Sequence, residues 1–296
     1  MTLILSVDVE DWAQSTLDTV LPLTARAEAN TNYLLDLLAE HDKKMTCFVL
    51  GKYAEKFPKS VKRMANEGHE VASHGYGHIN IFLQKPKEFR EDVSRSKAFL
   101  EDLTGQAVTG YRAPNFSMGP AVEWALPIVK DLGFKYDSSI FPSGTYKNGL
   151  VGWPEYPVKV ELGDRRSIIE LPASTIYLMG RAWPVAGGGY FRLLPWFIIK
   201  RLIQHLMERD GVFSTYCHPY EFDPQEFREM SEPPSLKVRL HQGVGRGGFE
   251  RKFLNLVEQF PTGTASEVSE DPALPIWKLN NLAFSNSRRS PRNHCR

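Results

Sequence analysis

The chain has only three cysteines, Cys47, Cys217 and Cys295, and none of them forms a C-x-x-C pair. An odd number at that spacing excludes a disulfide framework and fits a reducing compartment, so a cytoplasmic setting is expected. Long apolar runs are missing too. The best candidate, LLPWFIIKRLI at 193–203, is short and ends in Lys200 and Arg201, whereas a membrane-spanning helix needs roughly 20 apolar residues. The start, MTLILSVDVEDW, lacks a basic lead-in and a small-residue cleavage site, and acid follows its apolar run at once; it reads as a buried strand, not a secretory leader. Net charge is nearly absent: 36 Lys and Arg against 35 Asp and Glu leave +1. That excludes the global basic field that neutralises a phosphate backbone, and nucleic acid is not expected as a partner. There is no internal repeat.

What is there is enough apolar side chain, 42% of 296 residues, for one large core or two modest ones. Strand-like and helix-like stretches alternate, which predicts βα units around a mainly parallel sheet or barrel. The strands are LILSVDV (3–9), MTCFVL (45–50), HEVAS (69–73), VTGYRA (108–113), FKYDSS (134–139), SIIELPAS (167–174) and GVFSTYCH (211–218). Between them, residues 24–41 carry Leu34, Leu35, Leu37 and Leu38 on one broad face, and Phe89, Val93, Ser96, Leu100 and Leu103 recur at helical spacing until Gly105. Val122, Leu126, Val129 and Leu132 repeat the pattern, with Pro127 expected to perturb that helix. Residues 140–192, punctuated by glycine and proline, read as an excursion over one rim. A last helix is predicted from Phe249 to Phe260.

The chemistry-bearing residues gather at strand ends. SHGYGH at 73–78 sets two histidines four apart after a strand, where one helical turn would aim His74 and His78 at a shared cation. Asp8, Glu10 and Asp11 follow the LILSV run, and burying three carboxylates there is unfavourable without a cation or a proton. Two histidines with one carboxylate leave positions open for water and substrate in a catalytic metal site. Strand alternation places Asp8 and Glu10 on one face and Asp11 on the other, although a bulge would exchange Glu10 for Asp11, so both stand as candidate ligands. Arg112 and His218 end two further strands, and in a barrel such ends share one face. Cys217 reads as a small apolar strand residue, not a nucleophile. Gly243, Gly245 and Gly248 have G-x-G-x-x-G spacing but follow no apolar strand, so they read as a loop, and AGGGYFR at 186–192 reads as a substrate-rim loop.

Taken in order, SVDVEDW, TCFVLGKYAEKFP, EGHEVASHGYGH, GYRAPNFS, YDSSIFP, PVAGGGYFRLLP and YCHPYEFDP resemble the polysaccharide deacetylases of the NodB-homology group, carbohydrate esterase family four, in the branch found at bacterial exopolysaccharide loci. The resemblance spans residues 3 to about 221. It implies a distorted (β/α)7-type α/β barrel over 1–221, a C-terminal extension over 222–283 packing on it, and a disordered basic tail over 284–296. It implies a metal-dependent hydrolase that removes N-acetyl groups from an N-acetylhexosamine polymer or a lipid-linked precursor, with a divalent metal, zinc foremost, and it admits a homo-oligomer. By position, Asp8 matches the catalytic base, His74 and His78 the metal ligands, Arg112 the residue that orients the base, His218 the catalytic histidine, and Asp137 an acid that supports it. Asn115, beside Pro114, matches the position whose backbone N–H binds the oxyanion. Tyr190, with Trp153, Tyr156 and Trp183, is an expected sugar-stacking aromatic. One departure stands out: where most of the family has adjacent aspartates, Asp8 is followed by Val9 and then Glu10. That form is similar to the Helicobacter-type peptidoglycan deacetylases and to allantoinase relatives, which makes hydrolysis of a cyclic amide or ureide the competing expectation.

Overall fold

A computed structural model describes residues 1–144, 148–163, 165–230 and 232–279. The expected tail over 284–296 lies outside them. The strands are β1 (Thr2–Val9), β2 (Thr46–Val49), β3 (Glu70–Ser73), β4 (Gly110–Tyr111), β5 (Tyr136–Asp137), β6 (Val158–Glu161), β7 (Ser167–Glu170), β8 (Thr175–Leu178), β9 (Arg181–Pro184), β10 (Val212–Cys217), β11 (Thr262–Gly263) and β12 (Ile276–Lys278). Seven of them run parallel in the order β10-β1-β2-β3-β4-β5-β7. The gap between β7 and β10 is bridged by Ser174, whose N–H donates to the Ser214 carbonyl at 3.4 Å and whose hydroxyl accepts from the Ser214 N–H at 2.8 Å, and by Tyr216 N–H donating to the Ala186 carbonyl at 3.0 Å. The result is the distorted (β/α)7-type barrel that the resemblance implies.

Alternation along β1 sorts its residues. Leu3, Leu5, Val7 and Val9 face outward into the large core under the helices, while Ile4 joins Phe48, Ala72, Tyr136 and Leu171 inside the barrel. Ser6 and Asp8 stand above Ile4 on the same inner face. The outer layer is built as the spacing predicts: Leu34, Leu35, Leu37 and Leu38 are buried on the helix Ala25–Glu40, and Phe89, Val93, Ser96 and Leu100 on Pro86–Thr104, which Gly105 ends in the left-handed region at φ +68°. Pro127 does not break its helix, because Ala125–Asp131 begins two residues earlier and the proline falls in the first turn, where no intrahelical N–H is needed. The expected rim excursion at 140–192 also supplies barrel strand β7 and its antiparallel partner β6.

Residues beyond 221 pack on the barrel and also enter its sheet. β11 pairs with the start of β1 at Leu3 and Ile4, below the point where β2 begins, and β12 extends the sheet beside β6. Ala265 and Val268 join the interior cluster at this end of the barrel. Chemistry is therefore confined to the opposite, C-terminal strand ends.

At the helix-to-strand entry of β3, His69 is buried and its Nδ1 accepts the Met45 N–H at 3.2 Å. Burial, with help from Lys44, pushes its pKa down to about 4. The folded state then resists a proton that the unfolded chain binds near pH 6.5, so this contribution is complete above about pH 6.5 and drains away as pH falls to about 4. The expected loss is up to about 3 kcal/mol. Denaturant titrations across that window should show a flatter acid limb in His69→Asn than in the parent; equal limbs would remove His69 as the cause.

Candidate active site

Asp8 and Glu10 leave the end of β1 into the barrel mouth. Asp11 turns away: it is the N-cap of the short helix Trp12–Thr16, its Oδ1 accepting the Ala13 N–H at 3.0 Å and its Oδ2 the Thr24 N–H and hydroxyl at 2.6 Å each. With both oxygens committed to caps, Asp11 is not the metal carboxylate, and the choice left open in the sequence falls on Glu10.

Glu10, His74 and His78 bring one ligand atom each to within 4.8 Å of one another, all three buried. Glu10 Oε2 lies 2.8 Å from His78 Nε2 and 3.6 Å from His74 Nε2. His74 Nδ1 sits 2.8 Å from the Arg112 carbonyl, which fixes Nδ1 as the protonated nitrogen and leaves the Nε2 lone pair facing Glu10. Burial opposes the charge on Glu10, but His78, His74 and His218 together hold it well below the ordinary carboxylate range. Three convergent donors, one anionic and two imidazole, fit a divalent cation and leave coordination positions open.

The histidines do not sit on a helical turn, as the four-residue spacing predicts. They flank a tight loop in which Gly75 has φ +75° and His78 φ +59°. Asp92, on the helix Pro86–Thr104, pins this loop by accepting the N–H groups of Tyr76 at 2.8 Å and Gly77 at 3.3 Å. A side chain at Gly75 would approach Asp92 Oδ2 to 3.0 Å, so that position favours glycine twice over. Removing a partner that orients ligands typically weakens metal affinity about 10- to 100-fold. Asp92→Ala is expected to show that loss in competition against a chromogenic chelator; undiminished affinity would mean the loop holds its shape without Asp92.

Arg112 crosses the barrel floor, buried over the Phe48 ring at 3.9 Å from its centroid. Its guanidinium donates to Asp8 Oδ1 at 2.8 Å, Ser6 Oγ at 2.9 Å, the Ser138 carbonyl at 3.2 Å and Ser138 Oγ at 3.0 Å. Asp8 is thereby held in one rotamer. On the far wall His218 presents Nε2 3.7 Å from Glu10 Oε1, and its ring stacks on Tyr220 at 4.7 Å. Burial disfavours its imidazolium, yet Glu221, Glu10 and Asp8 outweigh burial and raise its pKa above the ordinary imidazole value.

The acid beside His218 is Glu221, not Asp137. Glu221 Oε2 is 3.5 Å from His218 Nδ1, an ion-pair distance, and accepts the His218 N–H at 3.1 Å, while Oε1 lies 3.4 Å from Arg192 Nε. Asp137 instead faces away from the mouth, accepting from the Ser139 N–H at 3.1 Å and Ser139 Oγ at 2.7 Å, opposite Glu170 in the β5–β7 register. Burial raises both carboxyls, Glu170 most, so the pair keeps a proton. Ser139 Oγ in turn accepts the Ala113 N–H at 2.7 Å, so Asp137 shapes the strand end that carries Asn115.

Asp8, Glu10, His74, His78, Asn115, Tyr190 and His218 line one cavity of about 650 Å³. Pro114 does not line it and packs behind Gly75. Trp153 is buried against Trp277 at 6.3 Å, Tyr156 borders a different hollow, and Trp183 stands on the β8–β9 hairpin; of the four aromatics only Tyr190 reaches the cavity. Among the lining residues that sequence reasoning did not single out are Glu221, His241 and Gln242, and Arg192 was read only as part of the rim loop. Arg192 donates to the carbonyls of His241 and Gln242, tying the rim to the helix Leu236–Gly243, so the glycine-spaced segment is in part helical. A signal existed for Glu221, three residues after His218 in a capping-box spacing. Gly187 is required where it stands, since a Cβ there would lie 2.0 Å from the Tyr216 carbonyl oxygen.

Residues 13–136 match the family model described as polysaccharide deacetylase, and residues 138–270 match a domain of unknown function, DUF3473. The peptidoglycan-N-acetylglucosamine deacetylase of Bacillus cereus is 42% identical over 84 residues, 28% of this chain and 30% of that protein. The chain spans about a third of the length of the curated relatives it matches. Among solved structures, a putative polysaccharide deacetylase from Mycobacterium smegmatis superposes with TM-score 0.62 at 20% identity, covering 91% of this chain and 88% of that one. PuuE allantoinase superposes with TM-score 0.59 at 15% identity over 90% and 88%. Both likenesses concern the fold.

Proposed function

We propose, from the match of residues 13–136 to the polysaccharide deacetylase family, that this chain hydrolyses N-acetyl groups on an N-acetylhexosamine polymer or its lipid-linked precursor, releasing acetate. The observation that carries the reading is the Glu10, His74 and His78 donor set standing beside a carboxylate clamped by Arg112 and a histidine backed by Glu221. These three side chains would hold a divalent cation, zinc foremost given two imidazoles and a carboxylate. Bound there, the cation supplies Lewis acidity toward an acetamide oxygen and a lowered pKa for water.

The chain's own residues supply the proton transfers. Asp8, fixed by Arg112, takes a proton from the attacking water. His218, protonated under the influence of Glu221, gives a proton to the departing amine. The two roles need a base and an acid in one pocket, and the environments differ accordingly: a guanidinium beside Asp8, a carboxylate beside His218. Asn115 lies at the cavity wall where the oxyanion would form, and Tyr190 offers a face to a sugar ring. We place the enzyme in the cytoplasm as part of the same proposal, in keeping with Cys47 and Cys217, both free thiols buried in strands.

The competing cyclic-amide reading shares the fold, so the fold does not separate the two. The assembled ligand set favours the metal-dependent deacetylase. Incubation with N-acetylglucosamine oligomers should release acetate and free amine in equal amounts, with allantoin untouched. Allantoin turnover without acetate release from the oligomers would overturn the assignment.

A further inference from the structure

The mouth of the cavity is framed by two stretches that contain no aspartate or glutamate, residues 171–207 and 233–249, in a chain whose 36 Lys and Arg and 35 Asp and Glu nearly balance overall. They meet there: Pro184, Tyr190 and Leu193 from the first and His241 and Gln242 from the second line the same cavity, and Arg192 bonds the His241 and Gln242 carbonyls. Both stretches expose large apolar side chains. The β8–β9 hairpin, a two-stranded sheet of its own, carries Tyr177, Leu178 and Met179 outward, Met179 91% exposed, and Leu193 at the cavity rim and Phe197 beyond it are also uncovered.

The helix Leu236–Gly243 has no buried residue. Val238 leans inward, toward the cluster of Trp12, Tyr220 and Phe227, and Gly243 faces Phe227. At 100° per residue, Leu236, Leu240 and Val244 lie on the opposite side, and all three are exposed, Leu236 by 67%. Lys237 and Arg239 flank that stripe. Arg181 and Arg201 are exposed on the other stretch, and none of these four cations has a carboxylate partner among the described residues. Apolar side chains interleaved with unpaired cations, with no anion among them, match the interface of a bilayer bearing anionic headgroups: the apolar groups enter the acyl boundary while lysine and arginine stay at headgroup level. No helix among the described residues is long and apolar enough to cross a membrane.

We propose that this collar docks on an anionic membrane surface, with the cavity mouth held at headgroup level where a lipid-linked glycan would present its sugar. The docking itself stands on the collar; only the nature of the substrate rests on the deacetylase reading.

The experiment is co-sedimentation of the full chain with vesicles of phosphatidylcholine alone and of equimolar phosphatidylcholine and phosphatidylglycerol, at low and high salt. The parent should bind the mixed vesicles and release with salt. Met179→Glu and Leu236→Glu, both exposed positions outside the catalytic machinery, should each lower the partition coefficient about tenfold or more while leaving acetate release from soluble N-acetylglucosamine oligomers unchanged. A parent that stays in the supernatant with mixed vesicles overturns the proposal, as do variants that bind as well as the parent. So does a concentration-dependent dimer that either variant dissociates, since the collar would then be covered by a second copy. Vesicle binding without acetate release from any N-acetyl sugar would count against the deacetylase reading and leave the docking intact.

Discussion

Asparagine in place of Asp8 is expected to lower kcat about a thousandfold, the middle of the range that a positioned general base contributes, while bound metal and affinity for the sugar stay near the parent values. Asparagine keeps the size of the side chain and an oxygen for Arg112, but it cannot take a proton from water. The metal should be spared because the ligand set is Glu10, His74 and His78, with Asp8 outside it. One structural effect accompanies the catalytic one. Asp8 is the only carboxylate within ion-pair distance of the buried Arg112 among the described residues, so the variant leaves a cation uncompensated and should lose roughly 3 kcal/mol of stability. Kinetics should therefore be taken per folded, metal-loaded molecule. Unchanged turnover would remove Asp8 as the base and shift attention to Glu221, the other carboxylate in the cavity lining beside His218 and Glu10.

His78→Ala is expected to abolish detectable hydrolysis by a different route, through the metal. His78 Nε2 is the nearest partner of Glu10, at 2.8 Å, and one of three donors. Loss of a direct ligand exceeds the about 10- to 100-fold effect of losing a group that merely orients one, so affinity should fall at least about a thousandfold. Two readouts separate this from a general folding defect. The parent should show a rise in Tm on adding zinc, because a ligand that binds the folded state stabilises it, and the variant should lack that rise while unfolding as cooperatively as the parent without metal. A variant that keeps stoichiometric metal after dialysis would exclude His78 from the ligand set.

Much of the site could be read before the structure because it follows from local periodicity. Strand alternation alone put Asp8 and Glu10 on one face, and the barrel mouth holds both; the same alternation turned Asp11 outward, where two caps claim it. The H-x-x-x-H spacing pointed to a shared cation by way of a helix, and the loop that replaces the helix is held by Asp92, a residue of the next helix that no short spacing connects to His74. Asp137 shows the opposite failure. Its motif position suggested a partnership with His218, but the register of β5 with β7 sets it against Glu170, and the chain supplies Glu221 from the turn that follows His218 itself.

The parts that stayed hidden are those made by distant segments. β11 is two residues long, too short for any pattern, and it reaches β1 from the far end of the chain, whereas β4 and β5, equally short, fall inside the strands expected at 108–113 and 134–139. Arg192, His241 and Gln242 meet only because the helix Leu236–Gly243 folds back over the rim, and the glycines beside it masked that helix as a loop. These are also the residues of the segment matched as a domain of unknown function, which contributes His218 and a wall of the cavity opposite His74, His78 and Asn115 of residues 13–136, while Asp8 and Glu10 precede both matched segments.

The most direct test of the account is metal analysis of the purified chain coupled to acetate release from N-acetylglucosamine oligomers before chelation, after chelation and after zinc is restored. The account predicts about one metal per chain, set by a single three-donor site, with acetate release that stops on chelation and returns with zinc. A metal-free chain that releases acetate undiminished, or one that binds zinc and stays inactive on every N-acetyl sugar, would contradict it.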